Sequence, residues 1–149
     1  MLSNISTIFS GIKTVIQAKL GSTYSELSHV VDLSKNSFYS LSTRYGVMPQ
    51  GSKEQSGVTV ANTLDQGFKI ILTDEYVSDT IEDASIIAKQ VALIGLFEDI
   101  LRELVRTKCG APSVVMFVGD FAIEECYLIE KQKIIIVEAH VNVRSRVMI

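Results

Sequence analysis

Five polar residues near the C-terminus occupy every second position of one stretch, which is the spacing that would bring their side chains together. They are Glu138, His140, Asn142, Arg144 and Arg146. A strand places alternate side chains on opposite sides of a sheet, so all five would share one side. The intervening positions form an apolar series made of Ile135, Val137, Ala139, Val141, Val143, Ser145 and Val147. The pattern predicts a long strand with one core face and one polar, charged face.

This polar face does not contain a complete catalytic set. A divalent-metal site needs carboxylates that converge on one ion at about 2.1 Å, and only Asp120, Glu138 and His140 are available for it. No G-x-S-x-G nucleophile motif and no glycine-rich phosphate loop occurs in the chain. We therefore predict no enzymatic activity, no cofactor and no metal. A divalent-metal enzyme built on those three residues is the least favoured alternative.

Cys109 and Cys126 are the only cysteines, and neither has a His or Cys partner at the spacing of a zinc site. We expect both thiols to be reduced. Cys109 comes at the end of a predicted helix, where the negative end of the helix dipole raises a thiol pKa and disfavours the nucleophilic thiolate.

The polar face has three possible roles: a solvated surface, a ligand site or a contact between subunits. Arg144 and Arg146 point the same way, and guanidinium groups suit bidentate pairing with carboxylates across an interface. The residues alone favour neither a solvated surface nor a subunit interface formed by the five polar residues. At an unprotected sheet edge, so long a strand would also pair with another chain, and head-to-tail repetition would close a ring. The acids available on a neighbour are Glu124, Glu125, Asp74, Glu75, Asp79, Glu82 and Asp83.

Two helices are predicted on either side of a less regular region. Residues 4–20 carry apolar residues at helical spacing, with Asn4 or Ser3 as the cap and Gly21 as the stop. A longer helix runs from about Thr80 to Lys108 and ends before Gly110 and Pro112. Its predicted apolar stripe consists of Ile87, Val91, Ile94, Phe97, Leu101, Leu104 and Val105, with Glu98 unexplained among them.

The rest of the chain predicts strands and one loop. Residues 48–57 contain few large apolar groups and read as a mobile loop, so Gln50, Lys53 and Glu54 are candidates for partner contact. Strands are predicted at 38–47, 58–60, 68–73, 114–118, 121–130 and 133–149, with a turn at Gly119-Asp120. The order predicts an α+β domain with a mainly antiparallel sheet and both helices packed on one face.

The bulk composition bounds the class of protein. The chain has 149 residues, of which 47% are apolar and 21% charged, as in a single globular domain rather than a disordered chain. A net charge of −3 argues against nucleic-acid binding through a generally basic surface. We do not expect the N-terminal segment to be a signal peptide, because its apolar residues are spaced and Lys13 and Lys19 interrupt them. No apolar run reaches the length of a membrane span. We expect synthesis in the cytoplasm.

Residues 63–77, the long helix and the segment 136–146 together resemble tail terminator or tail completion proteins of long-tailed phages. The quoted stretches read TLDQGFKIILTDEYV and IVEAHVNVRSR, and the resemblance covers about residues 60–149. It implies a small α+β protein that forms a ring, usually a hexamer, on the end of the tail tube.

The resemblance also implies partners and a location. The partners would be further copies of the chain, the tail tube protein and the head–tail connector protein, within a virion tail assembled in the host cytoplasm. With a ring implied, we predict that the subunit interface is formed by the five polar residues Glu138, His140, Asn142, Arg144 and Arg146. DNA would pass through without specific binding, because an acidic channel repels phosphate, and Asp74, Glu75, Asp79, Glu82 and Asp83 are candidates to line it. The main alternative is a cellular protein-binding or ligand-binding α+β module that uses the polar face.

Overall fold

Two helices and five strands form the described part of the chain. The computed structural model describes residues 4–26, 43–55, 63–76, 84–130 and 133–146. The predicted α+β class is confirmed. The elements are α1 (Ile5–Leu20), β1 (Ser25–Glu26), β2 (Arg44–Gln55), β3 (Thr63–Glu75), α2 (Ala84–Arg106), β4 (Val115–Ile129) and β5 (Ile134–Arg146).

The strands form one sheet in the order β1-β2-β3-β5-β4. Only the short β1–β2 pair is parallel, and the other three pairs are antiparallel. β4 and β5 make the predicted hairpin. β5 lies between β3 and β4, so the polar strand is interior and does not offer an edge to another chain.

Both helices pack on one side of the sheet, which we call the helix face. Phe68 and Ile70 of β3 lie opposite Val141 and Ala139 of β5, and all four are buried in the main core with residues of both helices. The predicted apolar series of β5 is buried from Ile135 to Ser145, so its alternation was interpreted correctly. Val147 lies outside the described residues.

Helix α1 matches its predicted bounds, but Asn4 does not cap it in the usual way. Asn4 occupies the cap position and makes no side-chain capping hydrogen bond. Its amide instead donates to the backbone oxygen of Arg146 at the end of β5. Gly21 ends the helix with a positive φ of 71°, as expected for a glycine stop.

The apolar stripe of α2 was predicted partly in the wrong phase. Ile87, Val91 and Val105 are 53%, 65% and 41% exposed, whereas Ile86, Leu93 and Ile100 are buried. The helix has apolar residues on two sides, so periodicity alone favoured the wrong side at these positions. Glu98 lies on the exposed side and pairs with Arg102 at 3.8 Å, which explains its position. Predicted residues 80–83 lie outside the described part.

Two predicted irregular segments are strands. The predicted loop at 48–57 is wrong over residues 48–55, which belong to β2 and pair with β3; residues 56–57 lie outside the described part. The predicted turn at Gly119-Asp120 is also wrong, since β4 continues through it with a register shift between Val118 and Phe121. In both places a β-bulge accommodates one extra residue within a continuous strand. From the sequence pattern alone, the same residues indicate the end of a strand.

Neither described helix combines the length and the apolar character that crossing a membrane requires.

Candidate functional site

The side of the sheet opposite the helices, which we call the second face, has an apolar half and a polar half. The apolar half is a small cluster of Ile71, Ile134 and Ile136, with Tyr127 and Ile129 packed against it. The polar half follows β5 in the direction of Arg146 and carries most of the residues predicted to form an interface. The boundary between the two halves lies at Glu138.

A cavity of about 650 Å³ opens on the polar half. It brings together His140, Asn142 and Arg144 from β5, with Gln50 from β2 and Asp65 from β3. Three of the five predicted interface residues therefore share one concave site. The remaining lining comes from Gly51, Gly67, Phe117, Gly119 and Val143.

Arg144 is held in place by two contacts within its own chain. Its Nε and Nη2 donate to the two carboxylate oxygens of Asp65 at 2.7 and 3.0 Å. Its guanidinium carbon also lies 4.8 Å from the centre of the Phe117 ring, within cation–π range. Donating these hydrogen bonds to the Asp65 carboxylate raises the pKa of Arg144 above its ordinary value. The acid that we expected on a neighbouring subunit is thus replaced by Asp65, directly opposite on β3.

His140 and Gln50 form the opposite wall of the cavity. Nδ1 of His140 lies 2.7 Å from Oε1 of Gln50, so Nδ1 carries the proton and donates. Gln50 reaches this position because it is the extra residue of a bulge, with the β2–β3 register shifting between Pro49 and Gly51. A bulge re-aims a side chain in this way. Gln50 is therefore part of a strand wall rather than of a loop.

Gly67 forms the floor between the two walls. A Cβ atom at this position would lie 3.3 Å from Cε1 of His140 and 3.4 Å from Oδ1 of Asn142. The first distance is tighter than most Cβ contacts and the second is an ordinary van der Waals contact, so a side chain at Gly67 would occupy the space between these two residues. The absence of a side chain is what leaves the cavity open there.

Glu138 lies at the boundary with the apolar half and is only 8% exposed. Its Oε1 lies 3.3 Å from Nζ of Lys69 and accepts a hydrogen bond from the Tyr127 hydroxyl at 3.3 Å. The Glu138 carboxylate therefore forms an ion pair and accepts a hydrogen bond within its own chain. The described residues contain no group of three or more His, Cys, Asp or Glu side chains that could hold a metal ion.

The other predicted site residues are not brought to the cavity. Arg146 is exposed at the end of β5. Asp65 lies near the first residue of β3, whereas Asp74 and Glu75 lie at the other end of that strand. Oδ1 of Asp74 accepts a hydrogen bond from the backbone nitrogen of Glu75 at 2.8 Å. Predicted contact residues that lie outside the described part are Asp79, Glu82 and Asp83, together with the side chains of Lys53 and Glu54.

Three residues that line the cavity were not predicted as site residues: Asp65, Gly67 and Phe117. Asp65, Gly67 and Lys69 stand at alternate positions of β3, a period-2 signal that marks them as one side of a strand. Nothing in that signal shows that Asp65 faces Arg144. Phe117 reaches the second face because Met116 is an extra residue in the β4–β5 register.

The cysteines do not contribute a reactive group. Cys109 and Cys126 are both free thiols, as predicted. Burial raises the pKa of Cys109 to about 12, so its thiolate is disfavoured. The direction agrees with the prediction, although the cause is burial rather than the helix dipole.

No protein-family model matches this chain. A search of curated proteins finds no match either.

Proposed function

We propose that this chain is a structural subunit of a phage tail-terminator ring, which caps the tail tube and joins it to the head connector. The resemblance of residues 60–149 to such proteins suggests the class. The observation that carries the proposal is the gathering of His140, Asn142 and Arg144 on a sheet face that no described helix covers. In this proposal, the polar half of the second face contacts the neighbouring subunit.

The charge arrangement of the polar half supports a protein contact. Arg144 pairs with Asp65, and Lys69 pairs with Glu138, so two cations are already neutralised by acids within the chain. Covering neutralised pairs costs less than burying isolated ions. Phe117 is exposed beside them, and exposed aromatic and arginine side chains are enriched in protein interfaces.

A closed ring also needs a second, different patch that meets the first. Ile87 and Val91 supply an exposed apolar patch on α2, on the side of the molecule away from the second face. The tail tube protein and the connector protein would bind the two rims of the ring. DNA would pass through the channel without specific binding.

The first test is the mass and shape of the protein in solution. Light scattering and negative-stain microscopy are expected to show a ring, of six subunits if the resemblance holds. Arg146→Glu is expected to weaken assembly about tenfold or more, because the reversed charge alters an exposed position of the interface. The fold should persist, since β5 holds Arg146 through a backbone bond from its nitrogen to the Val114 oxygen at 2.9 Å.

Lys19→Glu is the matched control, because Lys19 is exposed on α1 and lies on the helix side of the sheet. It should assemble as the unmodified protein does. A chain that stays monomeric at high concentration, and that binds neither tail tubes nor connectors, would refute the proposal.

A second candidate is a cellular binding module that uses the same cavity for a ligand. Its volume of about 650 Å³ lies within the usual range for ligand pockets. This candidate predicts a monomer or a dimer in the same light-scattering experiment, so one measurement separates the two.

A further inference from the structure

Along β5 the cavity presents a row of hydrogen-bonding groups that have no partner among the described residues. Nε and Nη2 of Arg144 donate hydrogen bonds to Asp65. Nη1 of Arg144 has no hydrogen-bond partner among the described residues. The side-chain amide of Asn142 likewise makes no hydrogen bond within the described part of the chain. Nδ1 of His140 is hydrogen-bonded to Gln50, so Nε2 is the ring nitrogen that can bind an occupant. An occupant of the cavity therefore meets donors and acceptors from three successive residues of one strand face.

The spacing of this row matches an extended polypeptide. His140, Asn142 and Arg144 are alternate residues of a strand, so their side chains repeat at about 6.6 Å. An extended chain repeats its own groups over the same two-residue distance. A segment lying along β5 could therefore place one polar group against each of the three residues in turn.

The charges of the cavity exclude a strongly ionic occupant. Asp65 lies in the wall and would repel a phosphate or a carboxylate, while Arg144 would repel a cation. The two form a bidentate pair and largely cancel each other. The lining therefore suits a neutral group that both donates and accepts hydrogen bonds, such as a peptide group or an Asn or Gln side chain.

The floor of the cavity gives such a segment room to approach. Gly67 has no side chain, and a Cβ there would already crowd Cε1 of His140 and touch Oδ1 of Asn142. We propose that the cavity binds an extended, uncharged polypeptide segment of a partner protein, seated along β5 over Gly67. The proposal does not rest on ring formation, because a single copy of the chain presents the whole cavity.

The test is selection from a display library of random twelve-residue peptides on the intact protein. Selected peptides are then synthesised with acetylated and amidated ends. We expect uncharged sequences that shift the NMR signals of the Asn142 amide and the His140 imidazole. Gly67→Val should abolish this binding by filling the floor. Asn142→Ala should weaken it by about threefold to tenfold, the worth of one neutral hydrogen bond.

Gly95→Ala is the control, because nothing lies within 4 Å of the added Cβ on α2, and it should bind as the unmodified protein does. Asn142→Ala tests the proposal independently if Gly67→Val unfolds. The proposal is overturned if no peptide binds the unmodified protein better than Asn142→Ala, or if the selected peptides require Asp or Glu. Binding of oligothymidylate at the same signals would also overturn it.

Discussion

The thiol of Cys109 lies in a short 3₁₀ turn, Lys108–Gly110, that follows α2. It is completely buried in the main core, and burial moves its pKa from an ordinary value of 9.0 to about 12. A raised pKa in the folded state means that the folded protein keeps the proton after the unfolded chain has lost it. The contribution to stability is complete below pH 9 and is lost as the pH rises towards 12.

This shift predicts how stability depends on alkaline pH. Between pH 9 and 12, the free energy of unfolding should fall by up to about 1.4 kcal/mol per pH unit because of this one thiol. Cys109→Ala should be less stable than the unmodified protein at pH 7 but should lack this part of the slope. Urea unfolding at several pH values checks it. Tyr24, Tyr45 and Tyr76 also have raised pKa values from burial, but they are present in both proteins and cancel in the difference. Parallel pH profiles would contradict the assignment.

The contact between α1 and the 3₁₀ turn depends on two glycines. A Cβ at Gly11 would lie 2.2 Å from the backbone oxygen of Cys109, far inside contact distance. Gly110 faces it with a φ of +69°, and a Cβ there would lie 2.9 Å from the Gly11 oxygen. The backbones of the two elements therefore touch directly. Gly11 lies in the middle of α1, where glycine lowers the helix propensity. Its lack of a side chain is what allows this close approach.

We expect Gly11→Ala to destabilise the protein by about 2–3 kcal/mol, because backbone cannot move aside as a side chain can. Gly95→Ala provides a matched control in the middle of α2, where nothing lies within 4 Å of the new Cβ. That substitution should stabilise the protein by about 1 kcal/mol through helix propensity alone. Thermal and urea unfolding of both variants measure the contrast. Similar effects from the two substitutions would mean that α1 and the turn do not touch as described.

On the scale of the whole molecule, the first and last described elements are joined. The Asn4 side chain at the start of α1 donates to the backbone oxygen of Arg146, 142 positions away in sequence. The Arg146 nitrogen donates to the Val114 oxygen just before β4. The start of α1, the end of β5 and the start of β4 therefore meet at one corner of the fold, where Asn4 is buried.

Asn4→Ala should therefore cost about 1–2 kcal/mol of unfolding free energy, the usual effect of leaving a buried hydrogen-bonding group without its partner. Thr7→Ala is the control, since Thr7 is exposed in the first turn of the same helix. Alanine there should change stability little or raise it slightly. Chemical unfolding gives both values, and an Asn4→Ala variant as stable as Thr7→Ala would argue against this junction.

Much of the fold follows from local pattern. Period-3.6 spacing located α1 and most of α2, and period-2 spacing located β5 and its buried side. The predictions were wrong where a local sequence pattern was compatible with two different structures. Apolar residues on two sides of α2 left its phase ambiguous, and the polar, glycine-containing β2 resembled a loop until pairing with β3 was known.

The sequence by itself determined that β5 has a polar side and which five residues stand on it, because alternation is a property of a single strand. Only the tertiary structure decided what these residues meet. Asp65 lies opposite Arg144 across 79 positions of sequence, and Gln50 reaches His140 across 90. Such pairs depend on strand order, register and bulges, which arise from the packing of several segments together. The cavity over Gly67 is therefore a property of the sheet and not of any one strand.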